Sequence, residues 1–233
     1  YKEGRVAGDL LYTGYCAACL LYCMVTAGEP LDVVFRESHK YLEFLKRTKD
    51  MDAAQTFIVE QRMVLNLQGM TATTASFGDD NFNEEEFVAH LNAIHMKIPL
   101  SLYRIVKMRS LWLFGHWREA LEHADKAREV AEKSMGLPFS SDYDFYHALN
   151  ILTHAHEMGS AERVKRLLQA KISIYKMNKW ATNCPANFLQ KQQILLAEQL
   201  RRAGKGPAAL NAYEMAIAMA RKNRFPQDEA IAC

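Results

Sequence analysis

Three cysteines on one predicted helix come closest to a group with reactive or metal-binding chemistry. Cys16, Cys19 and Cys23 are spaced i, i+3 and i+7, so one helical face carries all three thiols. Such thiolates could supply part of a zinc site, but zinc requires a fourth ligand. The nearest candidates in the sequence, His39 and His90, are distant. Because cysteine is also a common small buried residue, we expect the three to pack in the core.

The remaining polar clusters lack the spacing that catalysis or metal binding requires. His154 and His156 are two residues apart, so a helix points them in different directions. The carboxylates at 79–80 and 84–86 lack the Asp-x-Asp-x-Asp-Gly spacing of a calcium loop, and acidic residues at the start of a helix complement its dipole. No serine lies in a Gly-x-Ser-x-Gly motif. We therefore expect a chain that is not an enzyme, with no catalytic residue, no metal and no cofactor.

The composition is that of an ordinary globular protein. The 233 residues are 49% hydrophobic and 24% charged, which excludes a disordered chain. With 29 Lys and Arg against 27 Asp and Glu, the net charge of +2 provides no basic surplus for nucleic acid or an anionic membrane. The five cysteines are odd in number and three share one stretch, which favours a reducing, cytoplasmic compartment over a disulfide framework.

One segment is long enough to be tested as a membrane span. Residues 10–28 carry no charge over 19 positions, which is near the length that a bilayer requires. Three tyrosines, two threonines and two glycines are spread through this segment, so we expect instead a helix buried on all sides within a helical stack. The chain has no initial Met and ends within a helical pattern, so we expect it to be part of a longer polypeptide.

Apolar residues recur at helical spacing along almost the whole chain. This periodicity predicts an all-α protein with about eleven helices, separated by glycine and proline breakers. The one long polar loop, at 70–82, is the segment that we expect to be most mobile. The helices are expected at 6–27, 30–48, 50–68, 83–96, 98–114, 117–134, 141–158, 160–177, 185–203, 207–223 and from 226 onward.

Glycines that end alternate predicted helices reveal a repeat. The intervals between Gly115, Gly159 and Gly204 are 44 and 45 residues, and the interval from Gly28 to Gly115 is 87 residues, close to twice that length. One repeat between Gly28 and Gly115 has therefore lost or displaced its glycine, near the 70–82 loop. Helical hairpins of this kind cannot bury their apolar faces alone, so they stack. We predict a single domain, 1–233, folded as a right-handed superhelix of antiparallel helix pairs with about five repeats of about 44 residues.

The clearest copy of the repeat resembles the tetratricopeptide motif. Gly115, Trp117, Ala120 and Ala127 stand at the small and aromatic positions of that motif. The period of about 44 residues is longer than the usual 34, so the helices are expected to be longer. The small side chains of Ala120 and Ala127 allow the second helix of the hairpin to pack closely on the first.

A second resemblance involves the run Asn183-Cys-Pro-Ala-Asn-Phe188, followed by Leu-Leu-Ala-Glu at 195–198 and the alanine-rich run at 212–221. These segments resemble the helical-repeat region of very large bacterial and fungal signalling proteins. Such proteins carry a kinase-like domain, a predicted signal-transduction ATPase, the helical repeats, a sensor domain and a histidine kinase. The resemblance implies a non-catalytic, cytoplasmic interaction and regulatory module of a two-component type system. No phosphate loop or kinase catalytic loop occurs in this chain.

Two other functions stay open at this point. The chain could sense a small effector in its groove, as the helical repeats of ATPase-type transcription activators do. It could also be a stand-alone adaptor. In either case we expect a protein partner, or neighbouring domains of the same chain, and no contact with nucleic acid or membrane. The oligomeric state is not predicted.

The tetratricopeptide register predicts which side chains line the concave side, where a partner would bind. Aromatic and arginine residues, which commonly anchor interfaces, are frequent among them. Alternatively, the long helices close the groove and these aromatic residues belong to the core. The basic residues between 201 and 224 form either a solvated face or a patch for an acidic partner. The concave-side candidates are Tyr15, Tyr22, Thr26, Arg109, Trp112, Tyr146, Thr153, His156, Lys191, Glu198, Arg201 and Arg202.

Overall fold

The computed structural model describes residues 6–133, 137 and 139–233, and this part of the chain consists of helices joined by turns and loops, with no β-strand. The prediction of an all-α protein is confirmed. The helices are α1 (Leu10–Thr26), α2 (Leu31–Thr48), α3 (Met51–Leu67), α4 (Glu84–Ala93), α5 (Lys97–Leu113), α6 (Trp117–Lys133), α7 (Phe139–His154), α8 (Ser160–Asn183), α9 (Pro185–Arg202), α10 (Gly206–Asn223) and α11 (Pro226–Ala232).

The predicted boundaries agree with the observed ones to within two residues except at α1, which begins at Leu10 rather than 6, at α4, which ends at Ala93 rather than 96, and around 155–183. Helix α7 ends at His154 and continues as a 3₁₀ turn, Ala155–Glu157, whereas the periodicity predicted a helix to 158. Helix α8 runs six residues beyond its predicted end at 177, to Asn183. Pro185 then stands in the first turn of α9, where its missing N–H costs no helical hydrogen bond.

The ends of four helices share one glycine conformation. Gly28, Gly69, Gly115 and Gly204 all have φ between 72° and 84°, a left-handed backbone that glycine adopts without a Cβ clash. At each glycine, its N–H and that of the next residue donate to carbonyls three and five positions back, which closes the last turn of the helix. Gly69 lies 41 residues after Gly28 and 46 before Gly115, so it is the glycine that the repeat seemed to lack. Gly159 differs, because its φ is −60° and it precedes α8.

The chain divides into two compact units, the first ending at Ser140 and the second beginning at Ser141. In the first unit α1 packs on α2 and α3, α3 packs on α2 and α5, and α5 packs on α4 and α6. Helices α3 and α5 have neighbours on several sides, so they supply most of the core, including Phe57, Met63, Leu102 and Met108. The side chains of Ala120 and Ala127 on α6 are fully buried, as expected for close helix packing.

The expectation that α1 is buried on all sides is wrong. Tyr12 and Tyr15 on its outer face are more than half exposed, and Cys16, Cys19 and Cys23 are exposed rather than packed in the core. The reason is that α1 packs on α2 and α3 across one face, which leaves its opposite face open to solvent. None of the described helices combines the length and apolar content that crossing a bilayer demands.

In the second unit α9 packs on α8, α10 and α11. Helix α10 presents a stripe of small side chains, Ala209, Ala212, Ala216 and Ala220, all of which are buried. Their three- and four-residue spacing places them on one face, where small side chains allow two helix axes to approach closely. Helix α8 buries a comparable face formed by Ala170, Ser173, Met177 and Ala181.

Candidate functional site

The side chains predicted to line a concave surface differ widely in exposure. Tyr15, His156, Arg201 and Arg202 are exposed, whereas Thr26, Trp112 and Thr153 are half-buried. The other five are in the interior of their units and present no surface to a partner: Tyr22, Arg109, Tyr146, Lys191 and Glu198.

Lys191 is the centre of a buried ion cluster in the second unit. Its Nζ lies 3.0 Å from a carboxylate oxygen of Asp228 on α11 and 3.5 Å from one of Asp142 on α7. The ammonium also lies over the ring of Phe145, 4.7 Å from its centroid. Burial alone would lower the pKa of Lys191, but the two carboxylates outweigh it and raise this pKa. The cluster therefore joins three helices through one permanently charged lysine.

Glu198 also links helices rather than facing solvent. Its Oε1 accepts a hydrogen bond from the Tyr213 hydroxyl on α10, and its Oε2 accepts from Nε and Nη2 of Arg201 at 3.0 and 2.7 Å. Burial and the Glu198 hydrogen bond raise the pKa of Tyr213. Glu198 thus orients Arg201, whose side chain stays half exposed at the end of α9.

The 70–82 loop, which we expected to be mobile, is anchored by buried polar groups. Arg62 donates from Nε to the Phe77 carbonyl at 2.8 Å and pairs with Asp79. Glu84 accepts from the Phe77 N–H at 2.9 Å and forms an ion pair with Lys107 at 2.5 Å. The Phe77 side chain is itself buried. These contacts explain Glu84, the first residue of the acidic cluster at 84–86, as a loop anchor.

Three of the predicted partner residues do converge, in a basic hollow of the second unit. His156, Arg201 and Arg202 line a cavity of about 320 Å³ together with Arg163 of α8. Arg163 donates from Nη2 to the Met158 carbonyl at 2.9 Å, and its buried Nε has no acceptor among the described residues. The hollow could hold a carboxylate or another anionic group, because arginine donates several hydrogen bonds in a fixed plane.

A stripe of exposed apolar side chains runs along α8. Val164, Leu168, Ile172 and Tyr175 are each between 57% and 71% exposed, although Val, Leu and Ile are among the residue types that are most often buried. At 100° per residue they lie within an arc of about 80°, on the side opposite the buried face formed by Ala170, Ser173, Met177 and Ala181. Helix α8 therefore carries two apolar faces, and the second lies open.

Basic side chains border the α8 stripe. Lys165, Lys171 and Lys179 are exposed on the same helix and lie beside or between the apolar residues on the helical wheel. Helix α8 carries six Lys and Arg against one acidic residue, Glu162, whereas the whole chain is almost neutral. The surface is thus apolar along its centre and positive at its margins.

The first unit holds a mostly apolar cavity of about 150 Å³ beside α1 and α3. Two of the predicted residues, Tyr15 and Tyr22, line it, together with Phe139, Asp52 and Glu60. Neither Glu60 nor the α8 stripe was found from the sequence. The only available signal for Glu60 was a charged residue within an otherwise apolar helical face, at 53–65.

The three exposed cysteines of α1 form no metal centre in this structure. In the described parts of the chain no three His, Cys, Asp or Glu side chains are grouped as metal ligands. Burial, followed by the negative charge of Glu60, raises the pKa of both Cys19 and Cys23. These two thiols are therefore poorer nucleophiles than an ordinary cysteine.

Comparison with protein-family models, with curated proteins and with solved structures finds no match for this chain. The similarity to the helical repeats of large signalling proteins therefore stays a prediction from the sequence.

Proposed function

We propose that this chain is a non-catalytic protein-interaction module of the helical-repeat type, and that it binds an acidic amphipathic helix of a partner protein along the α8 stripe. The observation that carries the proposal is the exposed row Val164, Leu168, Ile172 and Tyr175, bordered by lysines. Helix-in-groove recognition uses anchors at this three- and four-residue spacing.

The energetics of the stripe favour a partner over solvent. Burying a Val, Leu or Ile side chain contributes about 1.5–3 kcal/mol, so three such residues together with Tyr175 can support a specific though moderate affinity. Lysines at the margin contribute mainly to association rate and to the choice of an acidic partner. An acidic amphipathic helix matches both features, because its apolar face covers the stripe and its carboxylates face Lys165, Lys171 and Lys179.

The repeat arrangement supports the same reading. Successive left-handed glycines are separated by 41 to 89 residues, and each of the four closes a helix in the same way. The helices on either side of Gly115 pack on each other, and so do those on either side of Gly204. Tetratricopeptide-like repeats act through side chains displayed on a rigid helical framework. We extend the proposal to signalling: the module relays partner binding to a neighbouring ATPase or kinase-like domain, as its sequence resemblance implies.

The direct test is binding of a synthetic acidic amphipathic peptide, measured by fluorescence anisotropy. The peptide carries leucines at i, i+3, i+4 and i+7 with glutamates between them, and a scrambled peptide of identical composition is its control. We expect saturable binding of the first peptide only, weakening as salt rises because the lysine contacts are screened.

Substitution locates the binding surface. We expect Leu168→Asp to weaken peptide binding at least about tenfold, equivalent to about 1.4 kcal/mol, because it places a charge in the apolar contact. Leu210→Asp on α10 is the matched control, since Leu210 is 58% exposed against 57% for Leu168. Equal loss in the two variants, or equal binding of the scrambled peptide, would contradict the proposal.

A further inference from the structure

One of the residues that line the cavity of the first unit, Glu60, has an unusual carboxyl group. Glu60 is 2% exposed, and its Oε2 has no hydrogen-bond partner among the described residues. Burial raises the pKa of Glu60 well above its usual range, against the opposing effect of a hydrogen bond with the Tyr22 backbone. A buried carboxyl oxygen without a hydrogen-bond partner is costly and uncommon, and it belongs here to a residue that lines a cavity.

The residues around Glu60 favour a positively charged ligand. Tyr15, Tyr22 and Phe139 contribute aromatic rings to the cavity wall, and the rings of Tyr22 and Phe139 lie edge to face with centroids 6.3 Å apart. Aromatic faces attract cations. A second carboxyl group, that of Asp52, lies on the same wall and is exposed. None of the described residues that line the cavity is a lysine, an arginine or a histidine.

The volume sets the size of the ligand. A cavity of about 150 Å³ is similar to one that holds a benzene molecule in a protein core. The lining is mostly carbon, so the body of the ligand must be apolar, and only its cationic group meets the carboxyl groups.

We propose that this cavity binds a small primary amine with an apolar body about the size of a benzene ring, and that its ammonium group donates hydrogen bonds to Glu60. The aromatic rings of Tyr15, Tyr22 and Phe139 enclose the apolar body, and Asp52 attracts the cation at the mouth. This site goes beyond the proposed function, because it lies in the first unit and uses no residue of the α8 stripe. The failure of either proposal leaves the other intact.

Benzylamine is the probe, and benzyl alcohol is its neutral counterpart of nearly the same shape. Both are titrated into the whole chain carrying ¹³C-labelled methyl groups, and NMR follows the methyl signals of Ala53 and Thr56, which line the cavity. We expect saturable shifts with benzylamine and at least about tenfold weaker binding of benzyl alcohol. Equal affinities, or shifts that do not saturate at these methyl groups, would overturn the proposal.

Two substitutions separate the charge of the site from its shape. Glu60→Gln keeps the shape of the side chain, so we expect it to abolish the preference for benzylamine over benzyl alcohol. Glu43→Gln is the matched control, because it makes the same substitution at an exposed position on α2. Ala53→Met fills the cavity and is expected to exclude both compounds. Retention of the tenfold preference in Glu60→Gln, or its loss in Glu43→Gln, would refute the role of Glu60.

Discussion

Two groups of buried charges in the described chain pair across helices. Glu84 is joined to Lys107 at 2.5 Å and to the Tyr103 hydroxyl at 2.8 Å, so α4 and α5 share a buried ion pair. Lys191 plays the same part between Asp142 and Asp228. Such pairs contribute little net stability when intact, but removing one partner leaves an uncompensated charge.

Glu84→Gln is expected to destabilise the first unit by about 3 kcal/mol, because it leaves the Lys107 ammonium buried without a counter-charge and weakens the anchor of the 70–82 loop. Urea unfolding followed by circular dichroism measures the change. Glu85→Gln, on the exposed side of the same helical turn, is the control and should change stability by less than about 0.5 kcal/mol. If the double variant Glu84→Gln/Lys107→Met is no more stable than Glu84→Gln, the ion pair is not the cause.

The same pair predicts a pH dependence. Burial alone would raise the pKa of Glu84, but Lys107 and the hydrogen bonds outweigh it and lower this pKa below its ordinary value of 4.5. A carboxyl group whose folded pKa is lowered stabilises the fold above its unfolded pKa, and this stability is lost as pH falls through the folded pKa. The stability difference between the original chain and Glu84→Gln should therefore be full at pH 7 and shrink below about pH 4.5. An unchanged difference at pH 3 would contradict this assignment.

At the scale of the helix, the ends of these elements depend on backbone conformation more than on side-chain contact. Gly204 and Gly159 both have open space where a Cβ would stand, with no heavy atom within 4 Å. They differ in φ, which is +72° at Gly204 and −60° at Gly159. Substitutions at these two glycines of the second unit can therefore measure the cost of the left-handed conformation separately from any steric clash.

Gly204→Ala is expected to cost about 1 kcal/mol, because an L side chain resists the left-handed conformation that closes α9. Gly159→Ala is expected to be neutral or to stabilise by about 0.5 kcal/mol, because it reduces the freedom of the unfolded chain without strain. Urea midpoints of the two variants, measured against the original chain, provide the comparison. Equal effects would show that backbone conformation does not control this helix end.

Helix α8 shows how one element can serve both fold and function. Its Ala170, Ser173, Met177 and Ala181 face is buried in its own unit, while the Val164, Leu168, Ile172 and Tyr175 face is open. Its 24 residues are also the longest helix of the described chain, which provides about 36 Å of continuous surface at 1.5 Å per residue. A partner helix of five to seven turns could pack along this length.

At the scale of the whole molecule, the proposed relay in signalling requires that this chain be joined to catalytic domains. We expect the native protein, purified from its source with an antibody to this chain, to be far larger than 26.6 kDa and to yield peptides of kinase-like and ATPase domains by mass spectrometry. A native mass close to 26.6 kDa would contradict the resemblance to large signalling proteins and favour a stand-alone adaptor.

Much of the local structure followed from the sequence. Apolar spacing located the helices, because a 3.6-residue period is a property of neighbouring residues along the chain. Glycine spacing located the helix ends at Gly28, Gly115 and Gly204 for the same local reason. Glycine spacing missed Gly69, because the residues after Gly69 form the 70–82 loop and the short α4 instead of the helix that follows the other glycines.

The tertiary structure alone decided which of the candidate residues are accessible. Periodicity states that Tyr146, Lys191 and Leu168 lie on faces of helices, but not which faces meet a neighbouring helix. Packing buried Tyr146 and Lys191 and left Leu168 exposed. Polarity alone would have suggested the opposite for two of them, with Lys191 exposed and Leu168 buried. Burial depends on contacts between residues far apart in sequence, such as Lys191 with Asp228, and a single sequence does not specify those contacts. For that reason the sequence by itself determined the helices, whereas only the fold revealed the stripe on α8 and the carboxyl group of Glu60 in its cavity.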